Sequence, residues 1–166
     1  SSSSSGGGSG SGSGGGTKAA PKSSEKKPGL LLLHTAVGVH DDFMSWLAER
    51  YAAAGFLVLL HDLYGAVVAP SAWEPGTCGQ LMAANRRDRA TLQGDRAMAG
   101  LRMLAELPGC DPGRLAAVGY CYGGQVAMDL VRWMHLRGSS GSEYEPEAEA
   151  EAPLKLRAAV TMHGIL

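Results

Sequence analysis

The sequence contains few cysteines and no long hydrophobic run, and these shortages exclude several classes of protein. Three cysteines among 166 residues are too few for a disulfide scaffold, and no Cys-x-x-Cys pair suggests structural zinc. The longest purely aliphatic run, Leu30 to Leu33, is far shorter than the roughly 18 residues of a membrane-spanning helix. We therefore predict one domain of a reducing compartment, the cytoplasm or an organellar stroma, without metal or cofactor.

An excess of charge of one sign is also missing. Fifteen Lys and Arg residues stand against 16 Asp and Glu residues, which gives a formal net charge of -1. A strongly basic chain would suggest binding to nucleic acid or to an acidic membrane surface, and this balance gives no such reason. The sequence therefore predicts neither nucleic acid nor a membrane as partner.

Glycine is abundant, but its excess is concentrated at the beginning of the chain. Residues 1–16 are all Ser or Gly, and no apolar periodicity appears before Leu30. We predict that residues 1–28 form a disordered, Ser/Gly-rich tether. A low-complexity extension of a cytosolic protein is the favoured interpretation, and the remnant of an organellar transit peptide is the alternative.

A second change of composition covers residues 138–153. Glutamates at positions 143, 145, 147, 149 and 151 alternate there with Tyr, Pro and Ala, so the charge is of one sign. We predict a solvated acidic insertion within a domain of residues 29–166, because lengthening a surface loop costs little free energy. A binding site for a partner protein is the alternative.

Four short apolar runs predict buried strands, because each is continuous rather than alternating. They are Leu30–Leu33, Phe56–Leu60, Leu115–Val118 and Ala158–Met162. Three segments with helical spacing lie between them. The first begins after the possible N-caps Asp41 and Asp42 and ends at Gly55. The second covers about Asp88 to Leu107, and the third runs from Gly123 to about His135. This alternation predicts an α/β fold with a mostly parallel sheet and helices on both faces, in three αβα layers.

Polar residues follow each of the four predicted strands. The carboxyl ends carry His-Thr-Ala at 34–36, His-Asp at 61–62, Gly-Tyr-Cys at 119–121 and His-Gly at 163–164. Because the carboxyl ends of parallel strands meet at one edge of a sheet, we expect these clusters to converge.

The strongest local signal is the run Gly-Tyr-Cys-Tyr-Gly-Gly at positions 119–124, which follows an apolar strand and precedes a helical pattern. This context is typical of a nucleophile elbow, a tight turn that exposes a reactive side chain. Gly119 and Gly123 leave room two residues on either side of Cys121. The partial positive charge at the following helix N-terminus favours the thiolate form of a cysteine.

Two other interpretations compete with the elbow. Cys121 could simply fill volume in the core, since free cysteine is among the most buried residue types. The glycines could instead cradle a dinucleotide phosphate, but that fingerprint needs a glycine where Cys121 stands. Cys78 and Cys110 lack such a frame and receive no role.

The chain resembles the dienelactone hydrolase family of α/β-hydrolases from Pro28 to Leu166, apart from the acidic insertion. The resemblance is carried by Leu-His-Thr-Ala-Val-Gly-Val (33–39), Ala-Ala-Gly-Phe (53–56), His-Asp-Leu-Tyr-Gly (61–65), Gly-Tyr-Cys-Tyr-Gly-Gly (119–124) and Ala-Ala-Val-Thr-Met-His-Gly (158–164). It implies the α/β-hydrolase fold and a small-molecule ester or lactone as substrate.

The resemblance also implies roles for individual residues. Cys121 matches the nucleophile that forms an acyl-enzyme, and the backbone N–H groups of Tyr122 and Ala36 match the oxyanion hole. Side chains expected in the substrate pocket are those of His34, Thr35, Tyr120 and His163. His34 and His61, at strand ends, are also weaker candidates for a base that acts on the cysteine.

Two departures from the family stand out. Thr35 occupies a position where dienelactone hydrolases carry a Glu that interacts with the nucleophile, and a hydroxyl cannot replace that carboxylate as a proton store. The family's catalytic Asp and His follow the strand that matches Ala158–Met162, whereas here no Asp follows Asp129 and the only His after that strand is His163. We therefore expect a partial domain, incomplete at the C-terminus, with little turnover.

Two other functions remain open at this level. A non-catalytic binding module would account for Thr35, for the absent Asp and His and for the acidic insertion. A redox-responsive thiol protein centred on Cys121 would use the same thiolate character.

Overall fold

The computed structural model describes residues 25–65, 75–139 and 154–164. In this part of the chain, four strands form one parallel sheet in the order β2-β1-β3-β4. The elements follow the chain as β1 (Lys27–Leu33), α1 (Asp42–Ala53), β2 (Leu57–His61), α2 (Pro75–Arg87), a π-helical turn (Arg89–Gln93), α3 (Gly94–Glu106), β3 (Cys110–Tyr120), α4 (Tyr122–Ser139) and β4 (Leu156–Met162).

The register of the sheet aligns the carboxyl ends of all four strands. Leu33, the last residue of β1, pairs with His61 at the end of β2 and with Gly119 near the end of β3. On the far side, Tyr120 pairs with Met162 at the end of β4. The loops that follow the four strands therefore start from the same edge of the sheet.

Strand β1 is buried on both faces of the sheet, because its residues alternate between two hydrophobic clusters. Leu31 and Leu33 belong to a cluster that includes residues of α3 and α4. Leu30 and Leu32 belong to a second cluster, to which α1 contributes Met44. An uninterrupted leucine run is thus what a central parallel strand between two helical layers requires.

Helix α1 begins and ends with the residues that its sequence predicts. Asp41 is the N-cap, and its carboxylate accepts a hydrogen bond from the Phe43 N–H at 3.0 Å. Gly55 follows the last turn at φ +101°, a conformation that favours glycine. The predicted boundaries of this helix therefore agree with the structure.

Two features differ from the predicted elements. The segment before Asp88 forms α2, a helix that the sequence analysis did not predict and that contains Cys78. The single helix expected from Asp88 to Leu107 is instead a π-helical turn followed by α3. Gly76 and Gly79 lower the helical propensity of α2, and this segment has neither an acidic first turn nor a strong apolar stripe.

The three-layer α/β prediction is confirmed. The proposed tether (1–28) and acidic insertion (138–153) lie largely outside the described residues. Where they overlap them, Lys27 and Pro28 belong to β1, and α4 continues to Ser139. Among the described residues, no helix is both long enough and apolar enough to cross a membrane.

Candidate active site

Cys121 lies on a one-residue turn between β3 and α4. Its backbone is in the left-handed region at φ +53°, which residues other than glycine rarely adopt. Its carbonyl oxygen accepts hydrogen bonds from the N–H groups of Gly124 at 3.0 Å and Gln125 at 3.3 Å, so the first turn of α4 closes directly behind it. The side chain is partly exposed. The chain therefore turns sharply enough to hold the thiol outside both elements.

Glycines at two positions make this turn possible. A Cβ atom on Gly119 would collide with the carbonyl group of Gly123, and a Cβ atom on Gly123 would collide with the carbonyl group of Leu33. Both collisions are with backbone, which cannot rotate away as a side chain can. The Gly-x-Cys-x-Gly spacing is thus needed because α4 crosses very close to the ends of β3 and β1.

The loop that follows β1 is joined to the start of α4. The Gly123 N–H donates to the carbonyl oxygen of His34 at 2.9 Å. We call residues 34–38 the β1 loop. This hydrogen bond brings Thr35 and Ala36, two of the predicted site residues, to the same edge of the sheet as Cys121.

Two backbone N–H groups in this region have no acceptor among the described residues: those of Ala36 and Tyr122. Tyr122 is the first residue of α4, where helical N–H groups lack a partner within the helix. Both groups are available to an anionic oxygen, and the helix N-terminus adds partial positive charge. The assignment of these N–H groups to an oxyanion hole remains a prediction.

His34 is fully buried, and backbone groups occupy both of its ring nitrogens. Its Nδ1–H donates to the Thr35 carbonyl at 2.6 Å, while its Nε2 accepts from the Leu63 N–H at 3.0 Å. These partners fix the neutral tautomer that carries the proton on Nδ1. His34 therefore supports the β1 loop and has no free nitrogen for a proton from Cys121.

Thr35 is partly exposed and structures the β1 loop. Its Oγ1 accepts from the Val37 N–H at 3.2 Å and donates to the Asp41 carboxylate at 3.4 Å. The hydroxyl thus links the β1 loop to the N-cap of α1. These contacts are those of a turn residue, and its place in a substrate pocket stays a prediction.

The other two predicted pocket side chains lie at the carboxyl ends of the neighbouring strands β3 and β4. Tyr120 is half-buried on the α1 side, where its hydroxyl contacts that of Tyr51 at 3.0 Å and its ring meets Phe43 edge-on. Burial and the Tyr51 contact raise the pKa of Tyr120 to about 12. His163 is exposed just beyond β4 at φ +57°. Their contact with a substrate is likewise still a prediction.

His61 is directed at α3. Its Nε2–H donates to the Arg96 carbonyl at 2.8 Å, and its ring packs so closely on Gly100 that a Cβ atom there would lie 2.7 Å from it. Burial lowers the pKa of His61 more than the Arg96 carbonyl and Asp62 raise it. This histidine is held neutral in the α3 interface.

Two residues without an assigned role from sequence lie next to the β1 loop. The Tyr64 hydroxyl donates to the Ala36 carbonyl at 2.7 Å, and the Cys78 thiol donates to the Val37 carbonyl at 3.4 Å. Tyr64 belongs to the His-Asp-Leu-Tyr-Gly motif, so the sequence marked this residue but did not indicate its function. Cys78 lies in the helix that the sequence did not predict, so no signal pointed to it.

The side chain of Tyr122 is anchored in a buried polar cluster. It is 1 % exposed, and its hydroxyl donates to the Gln93 side-chain oxygen at 3.1 Å. Gln93 in turn donates to Asp129, whose carboxylate also receives two hydrogen bonds from Arg89. The π-helical turn thus connects to α4 through these contacts. Sequence spacing gave no sign of this cluster because it depends on the π-helical turn.

No group of three or more His, Cys, Asp or Glu side chains that could hold a metal ion occurs in the described ranges. Cys78 and Cys110 are buried, and burial raises the pKa of both thiols. Cys121 differs from both in being partly exposed on a turn.

Comparison with known proteins agrees with this architecture. A family model described as the dienelactone hydrolase family matches residues 15–163. A comparison with curated protein sequences found no significant match. Among solved structures, a dienelactone hydrolase-like promiscuous phosphotriesterase from metagenomic libraries is 28 % identical, with a TM-score of 0.66 over 85 % of this chain and 49 % of its own.

A second solved structure shows the same fold. It is a protein of Klebsiella pneumoniae subsp. pneumoniae MGH 78578 assigned to the dienelactone hydrolases, 19 % identical, with a TM-score of 0.58. The alignment covers 88 % of this chain and 52 % of that one. The chain therefore spans about half the length of the structures that it matches.

Proposed function

Because the chain belongs to the dienelactone hydrolase family, we propose that it carries the nucleophile of a hydrolase that cleaves esters or lactones through a covalent Cys121 intermediate. The observation that supports this proposal most is the backbone of Cys121, held at φ +53° between β3 and α4 with a partly exposed thiol. A cysteine that merely filled the core would not need a left-handed backbone or glycines two residues away on both sides.

The proposed first step is attack by the Cys121 thiolate on the carbonyl carbon of the substrate. A carbon–sulfur bond forms while the carbonyl π pair moves to oxygen, which becomes an oxyanion. The Ala36 and Tyr122 N–H groups, both without an acceptor among the described residues, would stabilise that charge. The carbon–oxygen bond to the leaving group then breaks, the alcohol takes up a proton, and a thioester remains.

The second step is hydrolysis of the thioester by water, which returns the thiol and releases the carboxylic acid. This step needs a base to take the proton from water. His34 has both nitrogens engaged by backbone, and His61 is directed at α3, so neither is suited to that task. We therefore expect this chain to acylate faster than it deacylates.

The proposed substrate is a small molecule rather than a polymer or a membrane lipid. Positive and negative residues are almost equal in number, so the chain has no excess positive charge that would attract a polyanion. The proposed reaction takes place at one thiol. We propose the cytoplasm as the compartment, where buried Cys78 and Cys110 and the partly exposed Cys121 would remain reduced.

The proposal is tested by mixing the 166-residue chain with p-nitrophenyl acetate and recording p-nitrophenol release. We expect a burst of about one equivalent followed by slow turnover, because acylation precedes a poorly assisted hydrolysis. Cys121→Ala should abolish the burst, whereas Cys110→Ala, which removes a buried thiol at the start of β3, should retain it. A burst that survives in Cys121→Ala would refute the proposal.

A further inference from the structure

The β1 loop has a hydrogen-bond partner for each of its three central carbonyl groups. The Thr35 carbonyl accepts from the His34 Nδ1–H at 2.6 Å and from the Gly38 N–H at 3.2 Å. The Ala36 carbonyl accepts from the Tyr64 hydroxyl at 2.7 Å. The third, that of Val37, accepts from the thiol of a residue in α2 at 3.4 Å. The loop is therefore held by side chains from outside it as well as by its own turn.

The Ala36 N–H is different, because it has no acceptor among the described residues. A peptide group is planar, so the direction of this N–H depends on the backbone angles on either side of it. The Tyr64 hydroxyl fixes the next peptide group through its oxygen. The peptide group that contains the Ala36 N–H is held through its own oxygen, that of Thr35, and the Tyr64 hydroxyl adds the fixed point on the other side of the Ala36 Cα atom.

Tyr64 is itself firmly positioned. It is 2 % exposed, and its ring packs against His34, at 4.7 Å between centroids, and against Tyr122, at 5.8 Å and nearly parallel; these two rings also contact each other at 6.2 Å. Tyr122 begins α4 directly after Cys121, and His34 begins the β1 loop, which is joined to α4 through Gly123. Burial also raises the pKa of the Tyr64 hydroxyl well above its ordinary value, so the group stays protonated and remains a donor. A rigid ring thus presents one hydroxyl to one carbonyl oxygen.

We propose that Tyr64 is a positioning residue, whose hydroxyl holds the Ala36 carbonyl so that the Ala36 N–H stays directed at the oxyanion formed on Cys121. This inference rests on the proposed function, since it assigns a task to a second residue of the same site. The Tyr64 hydroxyl donates its proton to the Ala36 carbonyl, so the role assigned to it acts through the β1 loop.

The test compares two reactions of the same thiol. Acylation by p-nitrophenyl acetate forms a carbon–sulfur bond, expels p-nitrophenolate and passes through an oxyanion, which the two N–H groups would stabilise. Alkylation by iodoacetamide also forms a carbon–sulfur bond but expels iodide from a CH2 group, so no oxygen gains charge. A defect in the position of the Ala36 N–H should therefore slow acylation alone.

The variant is Tyr64→Phe, which keeps the ring stack and removes the hydroxyl. Loss of one oxyanion donor slows catalysis about 100-fold or more, and a misaligned donor should cost roughly 10-fold in the acylation rate of Cys121. The rate at which iodoacetamide alkylates Cys121, followed by peptide mapping, should equal the rate in the chain without the substitution. Tyr51→Phe is the matched control, because it removes a tyrosine hydroxyl bonded to Tyr120 on the α1 side. It should change neither rate.

The outcomes separate the inference from the proposed function. If Cys121 is acylated equally fast in Tyr64→Phe and in the unmodified chain, the positioning role is wrong while the nucleophile stands. If both reactions slow together, Tyr64 supports the fold and not the N–H specifically, which also overturns the inference. If the unmodified chain is not acylated on Cys121, the proposed function fails first.

A second variant serves if Tyr64→Phe does not fold. Cys78→Ala removes the donor to the neighbouring Val37 carbonyl of the same loop. Slower acylation of Cys121 with unchanged alkylation would support positioning by side chains that hold the β1 loop. Unchanged rates for both reactions would count against it.

Discussion

The backbone N–H of Cys121 donates a hydrogen bond of 2.8 Å to the carbonyl oxygen of Met162, the last residue of β4. The pairing of β3 with β4 therefore continues one residue into the turn, instead of stopping at Tyr120. A non-glycine residue with positive φ carries a cost of about 1–2 kcal/mol, so it persists only where its surroundings hold it. At Cys121 the neighbouring strand holds the N–H, and the first turn of α4 holds the carbonyl.

The close approach of α4 to the sheet leads to a first prediction, on Gly119. The variant Gly119→Ala would place a methyl group against the backbone carbonyl of Gly123, and relief would require moving α4. We expect a loss of about 2 kcal/mol or more in the free energy of unfolding, comparable to overpacking of a core. Urea denaturation followed by circular dichroism measures this loss.

The matched control for Gly119 is Gly79→Ala. Gly79 lies in α2, where nothing is within 4 Å of the added Cβ atom, so alanine should stabilise the helix by about 0.5–1 kcal/mol. The two variants add the same methyl group and should change the unfolding free energy in opposite directions. Equal effects would mean that α4 does not cross the sheet as closely as described.

The strain at Cys121 predicts an unusual ranking of substitutions. Glycine adopts φ near +53° without the cost that a Cβ atom brings, so Cys121→Gly should be more stable than Cys121→Ala by about 1 kcal/mol. In an ordinary helix or strand glycine would be the less stable of the two. Thermal unfolding of both variants under identical conditions gives the comparison, and a more stable alanine variant would argue against the left-handed turn.

His61 predicts a dependence of stability on pH. Burial holds its folded-state pKa below 6.5, so the unfolded chain binds a proton more readily than the folded chain as the pH falls. The free energy of unfolding should be highest above pH 6.5, and this contribution should be lost progressively as the pH falls from 6.5 toward the lowered pKa.

The variant His61→Gln isolates that contribution. The glutamine amide can still donate toward the Arg96 carbonyl but does not titrate, so the unfolding free energy should fall less steeply between about pH 7 and pH 5. Chemical denaturation at several pH values measures the slope. Identical slopes for the variant and the unmodified chain would contradict a histidine held neutral by burial.

The part of the fold that could be predicted is the part whose physical requirements are local. The leucine run of β1 and the cap residues Asp41 and Gly55 each specify one structure, and the structure has it. The turn at Cys121 also followed from sequence, because glycine at 119 and 123 around a cysteine between a strand and a helix favours a tight turn. Residues that a local backbone conformation requires, such as a helix cap or a glycine in a tight turn, can be recognised in the sequence.

The remaining parts depend on contacts between distant segments. Helix α2 has weak intrinsic propensity, and its buried side chains Cys78 and Asn85 donate hydrogen bonds to the carbonyl groups of Val37 and Leu63, far away in sequence. The hydrogen bond from Tyr64 to the Ala36 carbonyl could not be inferred for the same reason, since Ala36 is 28 positions earlier. His34 shows the converse: a histidine at a strand end resembles a base, but only the structure reveals that backbone groups engage both nitrogens.

The most direct test of the account is to identify which residue is acylated. The 166-residue chain is reacted briefly with p-nitrophenyl acetate, quenched in acid and digested, and its peptides are examined by mass spectrometry. We predict one acetyl group on the peptide containing Cys121 and none on those containing the buried Cys78 or Cys110. Acetyl groups found elsewhere, with Cys121 unmodified, would contradict the central claim that this cysteine is the nucleophile.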